Sequence, residues 1–279
     1  MFLFTIREAI LRGTLIFYFA FANIIIAFFA IALRLSPEDG KTILLLGNPV
    51  LPRLPMDFDP VDFLLIQLQR SSTTSALLFG VFAVAGLIPS MLEKGTVDLF
   101  LSKPLSRTSL LLSRALGAST GVVLNLMYFA IGMWLVFGIN LGVWHWKFLL
   151  SVVAVCVAFT FFFSIVAISS LITRSTGFSI MFAFAYTMFS SAIQARELTL
   201  FKWWDNVVYH RTLDAIYYAT PQLSDMLEKA TRIIGKLPFE RGPWDQSPAG
   251  FDMWPFVYSL LSASVIYFLS IRYFSKQDF

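Results

Sequence analysis

The sequence is poor in charged residues and in cysteine, and each shortage excludes a class of protein. Only 14% of its 279 residues are charged, whereas a soluble domain has about 25%. Because 57% of the residues are hydrophobic and the mean hydropathy is +0.73, a globular protein of this length would expose too much apolar surface. The single cysteine, Cys156, excludes an intrachain disulfide.

Histidine is also scarce, and no ionisable group stands inside the longest hydrophobic runs. The two histidines, His145 and His210, lie apart beside aromatic residues, whereas a metal site usually needs about three or four clustered ligands. No Ser/His/Asp or His/Glu constellation for a membrane hydrolase can be assembled from the runs. Ion-coupled carriers place ionisable residues inside the membrane, so this class is disfavoured as well.

In place of charge, the sequence has six long apolar runs that contain no Asp, Glu, Lys, Arg or His. At about 1.5 Å per residue, about 20 helical residues cross the roughly 30 Å hydrocarbon core of a bilayer. We therefore predict an all-α polytopic membrane protein with six transmembrane helices in a single transmembrane domain, residues 1–279. The predicted spans are about 14–33, 72–90, 115–138, 149–172, 176–193 and 254–271.

The N-terminal run resembles a signal peptide, because Arg7 and Arg12 precede it. Its apolar core of about 20 residues is nevertheless longer than the roughly 7–15 residues of a signal peptide. We predict a retained span, preceded by an N-terminal interfacial helix over residues 2–13. Six spans put both termini on one side, and the segments on that side are richer in Lys and Arg. The positive-inside rule therefore predicts that both termini lie in the cytoplasm. We also predict that the chain lies in the inner membrane of the cell.

Two extracytoplasmic loops are predicted, over residues 36–71 and 194–253. In the second loop, apolar residues recur with helical spacing after Thr220-Pro221, and Gly235 ends the pattern. The recurring residues are Leu223, Met226, Leu227, Ala230 and Ile234. This predicts a helix of about 14 residues, with its apolar face packed on the membrane surface or on a partner. The loop before the last span is thus a helical cap through which an extracytoplasmic partner would bind.

One stretch resembles part of a nucleotide-binding motif. Asp39-Gly40-Lys41-Thr42 matches the end of a phosphate-binding loop, but Leu35 stands where the motif needs its first glycine. The net charge of +4 comes from basic residues at span ends and in loops, so it indicates topology and no nucleic-acid partner. We predict no catalytic residue, metal site or cofactor on this chain, so any ATP and Mg²⁺ would be bound by another chain.

Two asparagines stand inside predicted spans, Asn23 in the first and Asn125 in the third. An amide is costly to bury in hydrocarbon unless its hydrogen bonds are satisfied. Each side chain is therefore predicted to face a neighbouring helix, a cavity, a transport pathway or a subunit partner.

The segment 91–107 after the second run is the most informative. It mixes charged and apolar residues, Pro104 interrupts it, and Ser106 or Thr108 can cap the helix that follows. This sequence resembles the segment after the second span in permeases of the ABC exporter type-2 family, in particular the NosY-like transmembrane subunits. The matching residues are Glu93, Gly95, Thr96, Asp98, Leu101, Ser102, Pro104, Ser106 and Arg107. The topology and the ending Phe274-Ser275-Lys276-Gln277-Asp278 also resemble this family.

The resemblance implies a mechanism. Segment 91–107 would be a coupling helix that sits in a cleft of a separate cytoplasmic ABC ATPase. The implied ATPase-coupling residues are Glu93, Lys94, Gly95, Thr96, Asp98, Leu99, Phe100, Leu101, Ser102, Pro104, Ser106 and Arg107. The chain would be the membrane-spanning permease of an ATP-binding-cassette exporter, would hydrolyse nothing itself, and would pair with a second copy as a homodimer or with a homologous chain.

One alternative from another functional class stays open. The chain could be a non-transporting, mechanotransmitting membrane scaffold that acts on an extracytoplasmic partner through residues 194–253. The substrate of an exporter also stays open among lipids, glycolipids, drug-like molecules, peptides and small sulfur-containing compounds.

Overall fold

The computed structural model describes residues 2–11, 13–36, 42–49, 60–92, 106–235 and 252–276. Within these ranges the chain forms α-helices α1 (Phe2–Leu11), α2 (Thr14–Ala32), α3 (Pro60–Val84), α4 (Arg107–Leu141), α5 (Trp146–Thr173), α6 (Thr176–Gln194), α7 (Val207–Ala219), α8 (Leu223–Arg232) and α9 (Trp254–Ser275). Short 3₁₀ turns cover Ala85–Leu87, Pro89–Leu92 and Leu200–Lys202. The strands are β1 (Leu33–Leu35), β2 (Ile43–Leu45) and β3 (Asn48–Pro49).

Six helices are long and apolar enough to cross a membrane: α2, α3 with the 3₁₀ turns that follow it, α4, α5, α6 and α9. The predicted class, an all-α polytopic membrane protein with six transmembrane helices, is confirmed. The helices are longer than the apolar runs. α3 begins at Pro60, inside the predicted outer loop 36–71, because the helix continues through Asp62 and Arg70 where the apolar run stops.

α5 lies at the centre of the bundle and packs against α4, α6, α8 and α9. Its side chains Phe159, Phe162 and Phe163 are fully buried. The ring of Phe163 stacks on that of Phe159 with centroids 5.9 Å apart, and Phe162 stacks on Tyr186 of α6 at 6.0 Å. The connection between α5 and α6 is tight, with Arg174 in the left-handed conformation (φ 52°) and Ser175 capping α6.

Glycines allow α2 and α3 to lie close against α4. A Cβ atom at Gly80 of α3 would stand 2.5 Å from Val122 Cγ1, and one at Gly132 of α4 would stand 2.5 Å from Ile26 Cδ1. The Thr14 hydroxyl further joins α2 to α3 by donating to the Ala83 carbonyl at 2.7 Å. These three helices therefore form one closely packed unit.

The connection between α2 and α3, at the end of the bundle that the predicted topology places outside and that is called outer below, contains a small antiparallel sheet in the order β1-β2-β3. The hairpin between β2 and β3 turns at Leu46 and Gly47, both with positive φ (52° and 82°), as a two-residue hairpin turn of this type requires. Leu33 and Ile43 are buried beside α4. The sheet thus closes the outer end of the α2–α4 unit.

The described first part of the predicted outer loop, residues 194–235, packs into the bundle, which corrects the prediction that the apolar face of its helix packs on the membrane surface or on a partner. The Tyr186 hydroxyl, about 12 Å of helix rise below the outer end of α6, donates to the Pro221 carbonyl at 2.5 Å. The Gln222 amide donates to Ser259 Oγ of α9 at 2.8 Å, and the Ser224 amide donates to Ser190 Oγ at 3.0 Å. α7 and α8 therefore form a re-entrant hairpin.

The apolar face of α8 is covered by the chain's own helices. Leu223, Met226 and Ala230 are at most 1% exposed and belong to the same core as α5. The predicted helix also starts later than expected, since Gln222 is the N-cap residue and the helix begins at Leu223. The amphipathic pattern identified the buried face correctly, but no pattern within one helix specifies what covers that face.

Candidate functional site

Most of the predicted coupling segment, residues 93–105, lies outside the described residues. Its C-terminal flank is described: Ser106 is the N-cap of α4, and its hydroxyl accepts a hydrogen bond from the Ser109 amide at 3.1 Å. Arg107 is the first residue of α4. Of the two capping residues considered from the sequence, Ser106 therefore performs the role.

The chain is buried just before the segment 93–105, and after it the exposed residues Ser106, Thr108 and Ser109 lead into buried ones, at the end of the bundle that the predicted topology places inside. Before it, the 3₁₀ turn at Pro89–Leu92 is buried throughout, with Met91 1% exposed. After it, Leu111 and Arg114 on the first turns of α4 are at most 1% exposed. The segment thus connects two points that are each packed in the core.

Glu8 of α1 contacts residues on both sides of the segment 93–105. Its carboxylate forms an ion pair with the buried Arg114 guanidinium. The same carboxylate accepts a longer hydrogen bond from Ser90 Oγ at 3.5 Å. α1 packs against α4 through Thr5 and Ala9, both fully buried. The N-terminal helix therefore joins the 3₁₀ turn at Pro89–Leu92 to α4. Its interfacial position stays a prediction.

The sequence did not indicate this ion pair. The two residues are far apart in the chain and neither belongs to a motif. The only available signal was an acidic residue on an amphipathic helix that precedes a span.

The two asparagines in the spans have different surroundings. Asn23 is satisfied by its neighbours, because its amide donates to the Phe19 carbonyl at 2.8 Å and its oxygen accepts from Tyr128 OH of α4 at 2.7 Å. Asn125 is 5% exposed, and neither its Nδ2 nor its Oδ1 has a hydrogen-bond partner among the described residues. Asn125 instead lines a cavity of about 260 Å³ between α2, α3 and α4.

A polar pocket of about 210 Å³ near the outer ends of α3, α6 and α8 is a feature that sequence reasoning missed. Its lining residues include Gln69, Arg70, Thr73, Gln194, Glu228 and Arg232. The Glu228 carboxylate accepts from Gln194 Nε2 at 2.6 Å and from Arg232 Nη2 at 2.6 Å. The pocket was missed because Gln69 and Arg70 were assigned to a loop, although they lie in α3.

Electrostatic contacts hold the re-entrant hairpin to α6 and to the segment after it. Arg196 Nε donates to Asp214 Oδ1 at 2.7 Å, and its guanidinium lies 3.8 Å from the centroid of the Tyr217 ring. Tyr217 OH donates to Asp225 Oδ2 at 3.0 Å. Burial raises the pKa of Asp225 above its ordinary value, although its hydrogen bonds from Tyr217 and Gln194 act in the opposite direction.

Both histidines lie at the outer side with protein partners. His145 Nε2 stands 2.9 Å from Asp62 Oδ1, which joins the start of α5 to the start of α3. The His210 ring stacks on Phe201 with centroids 4.1 Å apart. In the part of the chain that the structure describes, no three His, Cys, Asp or Glu residues come together as a metal-binding group.

Comparison with known proteins supports one assignment. A search of curated proteins finds no match to the chain. The sequence family described as ABC-2 family transporter protein matches residues 6–279, which is nearly the whole chain and includes all six candidate spans. With its six spans and its segment joining the second span to the third, the chain therefore belongs to the ABC-2 transporter family, and it is a multi-pass membrane subunit of the permease kind.

Proposed function

We propose that the chain is the permease of an ATP-binding-cassette exporter, driven by a separate cytoplasmic ATPase that binds residues 91–107. The observation that supports this most is the contact of Glu8 with Ser90, in the 3₁₀ turn before the segment, and with Arg114, in the second turn of α4 after it. Force applied to that segment would reach α1, α4 and this 3₁₀ turn together, because Glu8 joins all three. A segment with loose flanks would absorb the same displacement.

The finer parts of the proposal rest on the resemblance in residues 93–107. The coupling residues are those from Glu93 to Arg107 that match the NosY-like permeases, and ATP and Mg²⁺ are bound by the partner ATPase. Two copies of the permease enclose the pathway, and substrate moves outward. Both termini lie in the cytoplasm, and the membrane is the cell's inner membrane.

Cysteine cross-linking tests the ATPase contact directly, since the single native cysteine, Cys156, is buried. The permease is co-expressed with candidate ABC ATPases, and Ser102→Cys is labelled with a maleimide–benzophenone reagent and irradiated, so that the partner needs no thiol. The proposal predicts that an ATPase co-purifies and cross-links to position 102. Glu197→Cys, on an exposed side chain of the outer loop, is the matched control and gives no such product. Absence of any co-purifying ATPase, or equal cross-linking from both positions, contradicts the proposal.

A second candidate function, the mechanotransmitting scaffold, is favoured by the exposed residues after α6. Trp203, Trp204 and Val207 are 79%, 66% and 67% exposed. Headgroups at a membrane interface also accommodate exposed indoles. Trp203→Ser with Trp204→Ser separates the two functions: an exporter keeps substrate flux, and a scaffold loses its extracytoplasmic partner. Deleting α8 would not separate them, because it removes buried core residues.

A further inference from the structure

The cavity between α2, α3 and α4 has mostly apolar walls and, among the described residues, one buried polar side chain without a partner. Its lining residues include Phe21, Ile25, Phe79, Leu126 and Phe129, together with Asn125. Asn125 lies about 16 Å of helix rise beyond Arg114, close to the middle of a hydrocarbon core roughly 30 Å thick. At that depth, no bulk water is present to satisfy the amide.

Of the other polar side chains at the cavity, Ser75 is exposed at the mouth and the remaining three are engaged. Tyr18 OH donates to the Ala76 carbonyl at 3.0 Å. The hydroxyls of Ser71 and Ser72 donate to carbonyls of their own helix at 2.8 and 2.5 Å. Asn125 offers both a donor and an acceptor with no partner among the described residues. Among the described residues that line this cavity, the buried hydrogen-bonding capacity that is unused therefore lies on one amide, that of Asn125.

The cavity opens at the surface of the bundle between α2 and α3, where Ser71, Ser75 and Phe79 are exposed. A second cavity, of about 390 Å³, continues toward the inner end and shares Tyr18, Phe21 and Phe79 with the first. The two cavities together follow α2 from Gly13 to Ile25, a helix rise of about 18 Å. We call these two cavities together the groove. Its length and its apolar walls suit an alkyl chain that enters sideways from the bilayer.

The lining residues also determine whether the polar group of such a ligand can carry a charge. Among the described residues, those that line the two cavities include no Asp, Glu, Lys, Arg or His. A charged group near the centre of the bilayer would have no counter-charge there, which is costly. An uncharged group that both donates and accepts, such as a hydroxyl or an amide, complements Asn125 without that cost.

We propose that this groove binds an amphiphile with one alkyl chain and an uncharged hydroxyl or amide group, which hydrogen-bonds to Asn125. The inference concerns binding alone, so it holds whether the amphiphile is transported or is a resident lipid. It does not depend on the partner ATPase.

Photolabelling in nanodiscs tests the proposal with a diazirine analogue of oleyl alcohol and the same analogue of oleic acid. After irradiation, labelled peptides are mapped by mass spectrometry. The alcohol probe is expected to label α2, α3 and α4 at residues that line the groove. Asn125→Leu is expected to lower this labelling at least about fivefold, because two hydrogen bonds are lost. The ionised acid probe is expected to label the groove less than the alcohol probe does.

Asn23→Leu is the matched control, since Asn23 stands in a span but already has its partners. It should lower thermal stability without reducing labelling. Asn125→Leu should leave stability of the ligand-free protein unchanged or raised, because an unsatisfied buried amide is removed. Ser75→Leu, at the exposed mouth, provides an independent variant that should also reduce labelling.

Several outcomes would overturn the proposal. Equal labelling of Asn125→Leu and wild type would show that the amide does not recognise the probe. A loss of stability in Asn125→Leu comparable with that in Asn23→Leu would show that the amide is satisfied within the protein. A fall in the dimer fraction of Asn125→Leu would show that a second copy of the chain covers the groove.

Discussion

Glu8 of α1 and Arg114 of α4 form a buried ion pair at the inner end of the bundle. Removing one member leaves an uncompensated buried charge, so Glu8→Ala or Arg114→Ala is expected to lower the free energy of unfolding by about 3–5 kcal/mol. Unfolding of the purified protein in detergent measures this loss. Arg7→Ala, on the exposed face of the same helix, should change stability by no more than about 0.5 kcal/mol.

The double variant Glu8→Leu with Arg114→Met separates charge from packing. Replacing a buried ion pair by apolar residues of similar volume is often close to neutral. The double variant should therefore be more stable than either single alanine variant. A double variant as unstable as the single variants would contradict the assignment of the pair as a compensated buried charge.

The hydrogen bond from Tyr186 to the Pro221 carbonyl is expected to hold the re-entrant hairpin in the bundle. Tyr186→Phe leaves this buried carbonyl without its donor, which should cost about 1–3 kcal/mol. Tyr273→Phe, on a side chain that is 40% exposed, is the control and should stay close to wild type. Thermal unfolding measures both variants. Equal stability of the two would mean that the turn at Pro221 is held by its other contacts.

The stability of the hairpin should depend on pH through Asp225, whose pKa is raised above its ordinary value by burial. Because the folded protein favours the protonated carboxyl, this contribution is fully present at low pH and is lost as the pH rises through the raised pKa. Asp225→Asn should therefore gain stability relative to wild type as the pH rises from about 4 to 7.

Melting temperatures at the two pH values test the Asp225 prediction. Asp205→Asn, on an exposed side chain, is the matched control. The difference between its melting temperature and that of wild type should not increase as the pH rises. A difference between Asp225→Asn and wild type that stays constant or shrinks with rising pH would contradict the role of Asp225.

Asn23 and Tyr128 join α2 to α4 by one hydrogen bond of 2.7 Å, and their coupling can be measured. Interhelical hydrogen bonds in membrane proteins average about 0.6 kcal/mol and reach about 1.7 kcal/mol. A double-mutant cycle of Asn23→Leu and Tyr128→Phe should give a coupling energy in this range. Strict additivity of the two variants would show that the bond contributes nothing.

The sequence was sufficient for the fold class and insufficient for the ends of the helices. Charge-free runs identify membrane spans because hydrocarbon excludes charge over a fixed thickness. That criterion ends a run at Arg70, whereas α3 continues back to Pro60 and carries Gln69 and Arg70 into the outer pocket. The turns of a helix that extend beyond the hydrocarbon core are not constrained by lipid. The apolar pattern therefore could not give the full length of α3.

Contacts between distant parts of the chain were likewise beyond the sequence. The pattern of α8 predicted which face is buried, but not that α5 and α6 cover it. Asn125 was expected to face a helix, a cavity, a pathway or a partner, and only the packing of α2 and α3 around it distinguishes the cavity. Partner choice depends on three-dimensional packing, which a single sequence does not specify.

The measurement that tests the central proposal most directly is transport-coupled ATP hydrolysis by the permease–ATPase complex in proteoliposomes. Glu93→Lys with Asp98→Lys should reduce the coupled hydrolysis, while size-exclusion profile and melting temperature show a folded permease. Glu197→Lys with Asp205→Lys, at exposed outer positions, carries the same change of charge and should behave as wild type. Coupled hydrolysis that is unchanged after reversal of both Glu93 and Asp98 would contradict the assignment of residues 91–107 as the site that receives the ATPase stroke.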